Sequence, residues 1–214
     1  MAMTRFIFVR HGETEWNHHL RFRGRADIPL NETGVEQARR VAQRLAETPL
    51  AAIYASPLSR TLRTAEIIAE LHHRTHSDHL AVVPEARLLD LDYGAWQGKT
   101  PVEVEAEDPK RYAQWQTQPD RVHIPKGETL HQLRTRGVAL IEDLSREHAG
   151  ETVVLVSHDI VGKILMCAVL GLDNNAVWRI AQDTAALDIF VKRPDGFVVL
   201  TMNDAAHLMN GYIR

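Results

Sequence analysis

Cysteine is nearly missing from this 214-residue chain. Cys167 stands alone, so no intramolecular disulfide can form, and a reducing compartment suits the protein. The apolar residues around it, between 161 and 172, read as a buried helix in which a single thiol is a small core filler rather than a nucleophile. No apolar run is long enough to cross a membrane, and residues 1–4 pass directly into a strand-like run without the apolar core of a signal peptide. Cytoplasmic residence is therefore expected, with no membrane partner. Charge of one sign is also lacking: the formal net charge of -3 gives no global attraction to nucleic acid, so any anion site must be a local cluster.

What is present is the composition of an ordinary globular protein, 44% hydrophobic and 25% charged, long enough for one substantial core. One domain over residues 1–214 is expected. Residues 5–10 (RFIFVR) form a short apolar strand that stops at His-Gly. Between 33 and 47, Val35, Ala38, Val41, Ala42 and Leu45 recur at helical spacing, with Asn31 or Thr33 as cap. Residues 51–55 read as a strand and Ser56-Pro57 as a helix start, with Leu58, Leu62, Ala65 and Ile68 on the inner face. Residues 81–89 return to the sheet, whereas 93–118 have no clean period and read as an insertion with one or two short helices. A long helix follows Gly127, residues 152–156 (TVVLV) form a β-branched strand ending at Ser157-His158, and a hairpin turns at Pro194-Asp195-Gly196. The expected fold is a three-layer α/β/α domain with a mostly parallel, six-stranded mixed sheet and a small helical cap over about residues 98–126.

Ligands in such sheets sit beyond the carboxyl ends of strands, and Arg10-His11-Gly12, Ser56-Pro57 and Ser157-His158 each fall at such an end. A phosphoryl group in transfer needs fixed cations and a nucleophile aimed at phosphorus. Arg10 and Arg60 are planar forks suited to its oxygens, His158, if protonated, adds a third positive donor, and His11 is the nucleophile.

The segment FVRHGETEWN (residues 8–17) resembles the signature of the histidine phosphatase superfamily, which also contains cofactor-dependent phosphoglycerate mutases. LNETGVEQAR (30–39), YASPLSRTLRTAEIIA (54–69), LLDLDYGAWQG (88–98), PKGETLHQLRTR (125–136) and VVLVSHD (153–159) follow in that family's order. The resemblance implies a metal-independent phosphomonoesterase with no cofactor, in which His11 is phosphorylated and Arg10, Asn17, Arg60 and His158 contact the phosphoryl group. The family's usual proton donor is a glutamate in the stretch matched by LLDLDYG, where this chain has Asp90, one methylene shorter. The acid phosphatase branch instead uses an aspartate directly after the second histidine, and Asp159 holds that place. Asp90 is the first choice and Asp159 the second. Arg23, beside the Gly24 turn, stands where the family has a small or amide residue and is assigned, with Gly24, Asn17 and Asp159, to substrate binding.

Two rival readings share this pattern. A phosphoglycerate mutase would use the same rim, but the link between Tyr93 and Gly127 is short, as in the phosphatase branch. A non-catalytic member of the fold would most easily have lost His11. The expected partner is a small phosphomonoester, and a homodimer is compatible with the sequence. His72, His73, His76 and His79 crowd one segment, without the cysteine or carboxylate pattern of a zinc site. Trp96, Trp115 and Trp178 could line a pocket or simply pack the core and cap, and Lys99, Lys110 and Arg111 read as a wet face.

Overall fold

The computed structural model describes residues 3–17, 21–76 and 80–209. Strand β1 (Thr4–Arg10) alternates sharply, with Phe6 and Phe8 packing into one hydrophobic cluster and Ile7 and Val9 into another. A strand buried on both faces must lie inside a sheet. Helix α1 (Glu32–Leu45) starts at Asn31, whose side chain accepts from the Gly34 N–H. Strand β2 (Ala52–Ala55) leads into helix α2 (Ser59–His76), and β3 (Val82–Pro84) follows.

Here the structure shortens an expectation. The strand expected over 81–89 ends at Pro84, which has no N–H to continue the ladder, and residues 86–88 turn as a single 3₁₀ helix. The turn carries Leu88 into the core, where its carbonyl accepts from the Ser157 hydroxyl at 2.7 Å, and sets Asp90 immediately behind the strand ends.

The irregular insertion resolves into helices α3 (Pro101–Glu107) and α4 (Pro109–Thr117). Each has proline in its first turn, and α3 begins with a capping box between Thr100 and Glu103. Helix α5 (Leu130–Glu147), strand β4 (Thr152–Ser157), helix α6 (Asp159–Val169) and the hairpin of β5 (Leu187–Arg193) and β6 (Gly196–Asp204) complete the order.

The six strands lie in the order β3-β2-β4-β1-β5-β6. Pairings among the first four are parallel and the last two are antiparallel. Helices α1 and α2 cover one face through Val41, Leu45, Ala65 and Ile68. Helices α5 and α6 cover the other through Leu133, Leu140, Ile141 and Leu165, and α3 and α4 join that side through Val104 and Trp115. Cys167 lies in the core on α6, and burial pushes its thiol up to about 11. No helix among the described residues is long and apolar enough to cross a membrane.

Candidate active site

The parallel register aligns the ends of three neighbouring strands. Arg10 pairs with Ser157 across β1 and β4, the His11 N–H donates to the Ser157 carbonyl, and the Ser56 N–H donates to that of Val156. His11, Ser56 and His158 therefore meet at one rim. The loop at Gly12 has no room for a side chain: a Cβ there would lie 2.3 Å from the Gly34 carbonyl oxygen, so the loop is pressed against the first turn of α1.

His11 is 2% exposed, and its Nδ1 lies 2.6 Å from the Gly12 carbonyl. A carbonyl only accepts, so Nδ1 carries the proton and the lone pair resides on Nε2. Burial and the nearby guanidiniums of Arg60, Arg10 and Arg23 hold the imidazole pKa well below its ordinary value, which keeps the ring neutral at physiological pH. That tautomer and charge state make a nitrogen nucleophile. The His158 ring lies edge-on to it with centroids 5.3 Å apart, and its Nε2 is 2.8 Å from the Ser56 hydroxyl. Burial, then Arg60 and His11, keep His158 neutral as well, so the condition for a third positive donor is not met here.

Arg60 is fully buried and anchored on main chain, donating to the carbonyls of Ala26 at 2.7 Å and Gly24 at 2.9 Å. Arg10 is held likewise by the Gln182 carbonyl and faces Asp159 at 3.6 Å. These anchors leave three buried groups, Arg10 Nε, Arg60 Nε and His158 Nδ1, without a hydrogen-bond partner among the described residues. Unmatched buried polar groups are costly and uncommon in folded proteins. Both guanidiniums act on His11 and the His158 ring lies 5.3 Å from it, so these side chains surround the His11 ring and suit an oxyanion.

The two candidate carboxylates sit in different surroundings. Asp90 is 7% exposed, 3.7 Å from Arg60 and 3.9 Å from His158 Nδ1, and accepts from the Leu91 N–H. Burial outweighs Arg60 and Arg23 and pushes its carboxyl up to about 6, within reach of protonation near neutrality. Asp159 is more open and is gripped by Arg10 and, at 3.1 Å, by Lys163 one turn along α6.

A cavity of about 300 Å³ is lined by Arg10, Asn17, Arg23, Asp90 and Asp159, whereas the buried His11, Arg60 and His158 are not on its wall. Asn17 uses its oxygen to accept from Thr14 and from Arg23, at 2.6 Å, so its amide nitrogen is the end an anion would meet. Gly24 is not on the wall. At φ +49° its backbone turns so that its carbonyl meets Arg60, and a Cβ there would lie 2.9 Å from the Leu91 carbonyl. Its part is to position rather than to touch a ligand.

Sequence reasoning passed over the outer wall, which Trp16, Arg21, Phe22, Tyr93, Pro101 and Ile160 share with Trp115 and Trp178. No periodic signal marks most of them, because they come from loops and the cap, while Ile160 is in the first turn of α6. The three tryptophans considered for a pocket divide: Trp115 and Trp178 border it, whereas Trp96 packs behind them. Lys99 and Arg111 pair within the cap, with Glu107 and Asp108. In the histidine-rich segment the rings of His72 and His76 stack at 4.3 Å, His79 lies outside the described residues, and no group of three or more potential metal ligands occurs among those described.

Known proteins match this arrangement along nearly its whole length. A sequence model of the histidine phosphatase superfamily (branch 1) matches residues 6–205. Phosphoserine phosphatase 1 of Hydrogenobacter thermophilus is 35% identical over 212 residues, 99% of this chain and 98% of that protein. A "Probable phosphoglycerate mutase GpmB" from Photorhabdus laumondii is 34% identical over 211 residues, 96% of this chain and 95% of its own. Among solved structures, YhfR of Bacillus stearothermophilus superposes with a TM-score of 0.89 at 30% identity, covering 96% of this chain and all of that one. The Entamoeba histolytica phosphoserine phosphatase, solved in complex with 3-phosphoglyceric acid, gives 0.84 at 27% identity, with coverage of 96% and 100%. These likenesses favour a phosphatase over a mutase, and the chain belongs to branch 1 of the histidine phosphatase superfamily.

Proposed function

We propose that this protein hydrolyses small phosphomonoesters through a phosphohistidine on His11, without a metal or cofactor, as one unit over its whole length with residues 98–126 as cap. The observation that carries the reading is a neutral His11, its tautomer set by the Gly12 carbonyl, with the side chains of Arg10, Arg60 and His158 close to it and each keeping a buried nitrogen without a partner among the described residues. The guanidiniums hold the phosphoryl oxygens, and Asn17 and neutral His158 add donors. A bound phosphoryl dianion would also favour protonation of His158. His11 Nε2 attacks phosphorus in line as the ester P–O bond breaks, and the protonated Asp90 carboxyl gives its proton to the departing alkoxide. In the second step Asp90 takes a proton from water, the water oxygen bonds to phosphorus, the P–N bond breaks and inorganic phosphate leaves. Asp90 is then protonated again. Arg23 lies beside the phosphoryl groups where an acidic substituent on the substrate would meet it.

The test is chemical quench with a 32P-labelled ester: acid-labile, base-stable label on the protein, absent in His11→Gln, is the expected result, and normal turnover by that variant would overturn the mechanism. O-phosphoserine and 3-phosphoglycerate belong first in the substrate panel, because relatives carry those compounds in their names. The mutase reading shares every floor residue, and efficient exchange of 3-phosphoglycerate with 2-phosphoglycerate in the presence of 2,3-bisphosphoglycerate would put it first. Release of phosphate without that exchange is expected.

A further inference from the structure

The chain has only four tryptophans, four tyrosines and five phenylalanines, and their distribution is uneven. Beyond the cavity over the phosphoryl site lies a second, of about 340 Å³, bounded by Phe22, Pro101, Tyr112, Trp115, Gln116 and Trp178. Four of these residues, Phe22, Pro101, Trp115 and Trp178, also wall the first cavity, so the two spaces adjoin across one aromatic wall, the inner one reaching Arg10 and Asp90. With Trp16 and Tyr93 in the inner chamber, six of the thirteen aromatic side chains face these two spaces.

Their mutual geometry is a herringbone. Phe22 meets Tyr93 at 5.0 Å and 61°, Tyr93 meets Trp115 at 6.1 Å and 80°, and Trp115 meets Trp178 at 5.2 Å and 76°. The Trp178 indole N–H is committed to the Trp115 carbonyl at 2.9 Å, which fixes that ring, and Lys163 Nζ lies 5.8 Å over it, so its remaining surface serves as the wall. Trp178 nevertheless remains 42% exposed at the mouth. Trp115 is nearly as sealed as Trp96, at 5% against 3% exposure, so the open ring at the mouth is Trp178. A ring at the mouth beside an anion site presents a surface that one more ring can extend, and each of the two spaces lies in the range of small-molecule sites.

We infer that this aromatic wall takes a flat aromatic ring on the alcohol part of the substrate, so that aryl-bearing phosphomonoesters are among the substrates. The inference rests on the phosphatase reading for the fate of the bound ester, but binding tests it alone. Tryptophan fluorescence titration with 3-phenylpropyl phosphonate and propyl phosphonate compares two non-hydrolysable anions that differ only in the ring. Burying one ring against apolar walls, less the cost of ordering it, is expected to tighten binding about 10-fold or more. Trp178→Ala should reduce that ratio to about 2-fold or less. Should this variant fail to fold, Tyr112→Ala, which borders only the outer cavity, carries the same comparison. Equal affinities for the two phosphonates, or a ring preference that both variants retain, overturns the inference. Turnover of 3-phenylpropyl against propyl phosphate, esters with similarly basic leaving groups, then reads the catalytic assignment: ring-dependent binding without hydrolysis of either ester would leave the aromatic wall's role standing and overturn the phosphatase mechanism.

Discussion

At the strand ends, the groups that would meet a phosphoryl oxygen are held largely by main chain: His11 on the Gly12 carbonyl, Arg60 on those of Gly24 and Ala26, Arg10 on that of Gln182. At the cap, the walls of the same cavity are side chains supported mostly by other side chains, Phe22 against Tyr93 and Trp96, Trp115 against Tyr93 and Trp178. Backbone anchors survive most substitutions nearby, whereas a side-chain stack changes shape with each member. The floor can therefore keep one chemistry while the mouth is remade for different alcohols, consistent with relatives that bear different substrate names at similar identity.

The comparison breaks most completely at the nucleophile. His11→Ala leaves the floor without its attacking atom and is expected to lower turnover of any ester, aryl or alkyl, by about 10⁴-fold or more, measured as phosphate release. The next effect separates the two carboxylates. Asp90→Asn should cut turnover of an alkyl phosphate by about 10²-fold while affecting the phosphorylation step with a nitrophenyl ester much less, because that leaving group departs without a proton. Asp159→Asn should show no such contrast. Burst or single-turnover measurements are needed, since Asp90 also serves the second step. An alkyl-selective loss in Asp159→Asn instead would move the acid to the first residue of α6.

A smaller effect concerns stability. The folded protein raises Asp90 from an ordinary 3.8 to about 6, so it binds more protons than the unfolded chain in that window. Stability falls as pH rises through it, and the cost is fully present above about 6. Asp90→Asn should therefore stabilise the protein at pH 7.5 by about 1–3 kcal/mol, the upper end being the whole pKa difference, with little gain at pH 3.5, read by thermal melts. Asp188, buried on β5 and also pushed up to about 6, adds a slope of the same sign, so Asp188→Asn should flatten what Asp90→Asn leaves. The smallest expected change is none: excess EDTA followed by desalting should leave activity intact, and loss restored by a divalent metal would contradict the arginine-based floor.

The floor was legible in the sequence and the mouth was not, for a physical reason. His11 and His158 each close a β-branched or aromatic strand, and at these two strands the apolar run itself marks the end. Asp90 was found by likeness to a family stretch, but its placement depends on a turn at residues 86–88 that the sequence pattern presented as more strand. Gly24 was recognised as special but assigned to the ligand, when its carbonyl serves Arg60. Of the aromatic wall only Trp115 and Trp178 were singled out, because Trp16 and Phe22, Tyr93 and Trp178 come from three separate stretches outside any α-helix or strand and meet only in three dimensions.

The position of β1 has a consequence for how the protein is made. Its two sheet neighbours are β4 and β5, which begin at residues 152 and 187, while the elements that directly follow it pair elsewhere. A chain emerging from the ribosome thus carries Phe6, Ile7, Phe8 and Val9 with neither ladder partner until residues 152–157 have been made. Contacts spanning some 145 residues close slowly, and an unpaired apolar strand is a template for aggregation while it waits. His11 and His158 cannot meet until that late closure, so a nascent chain holds the nucleophile from its first residues onward and remains catalytically silent until β4 docks.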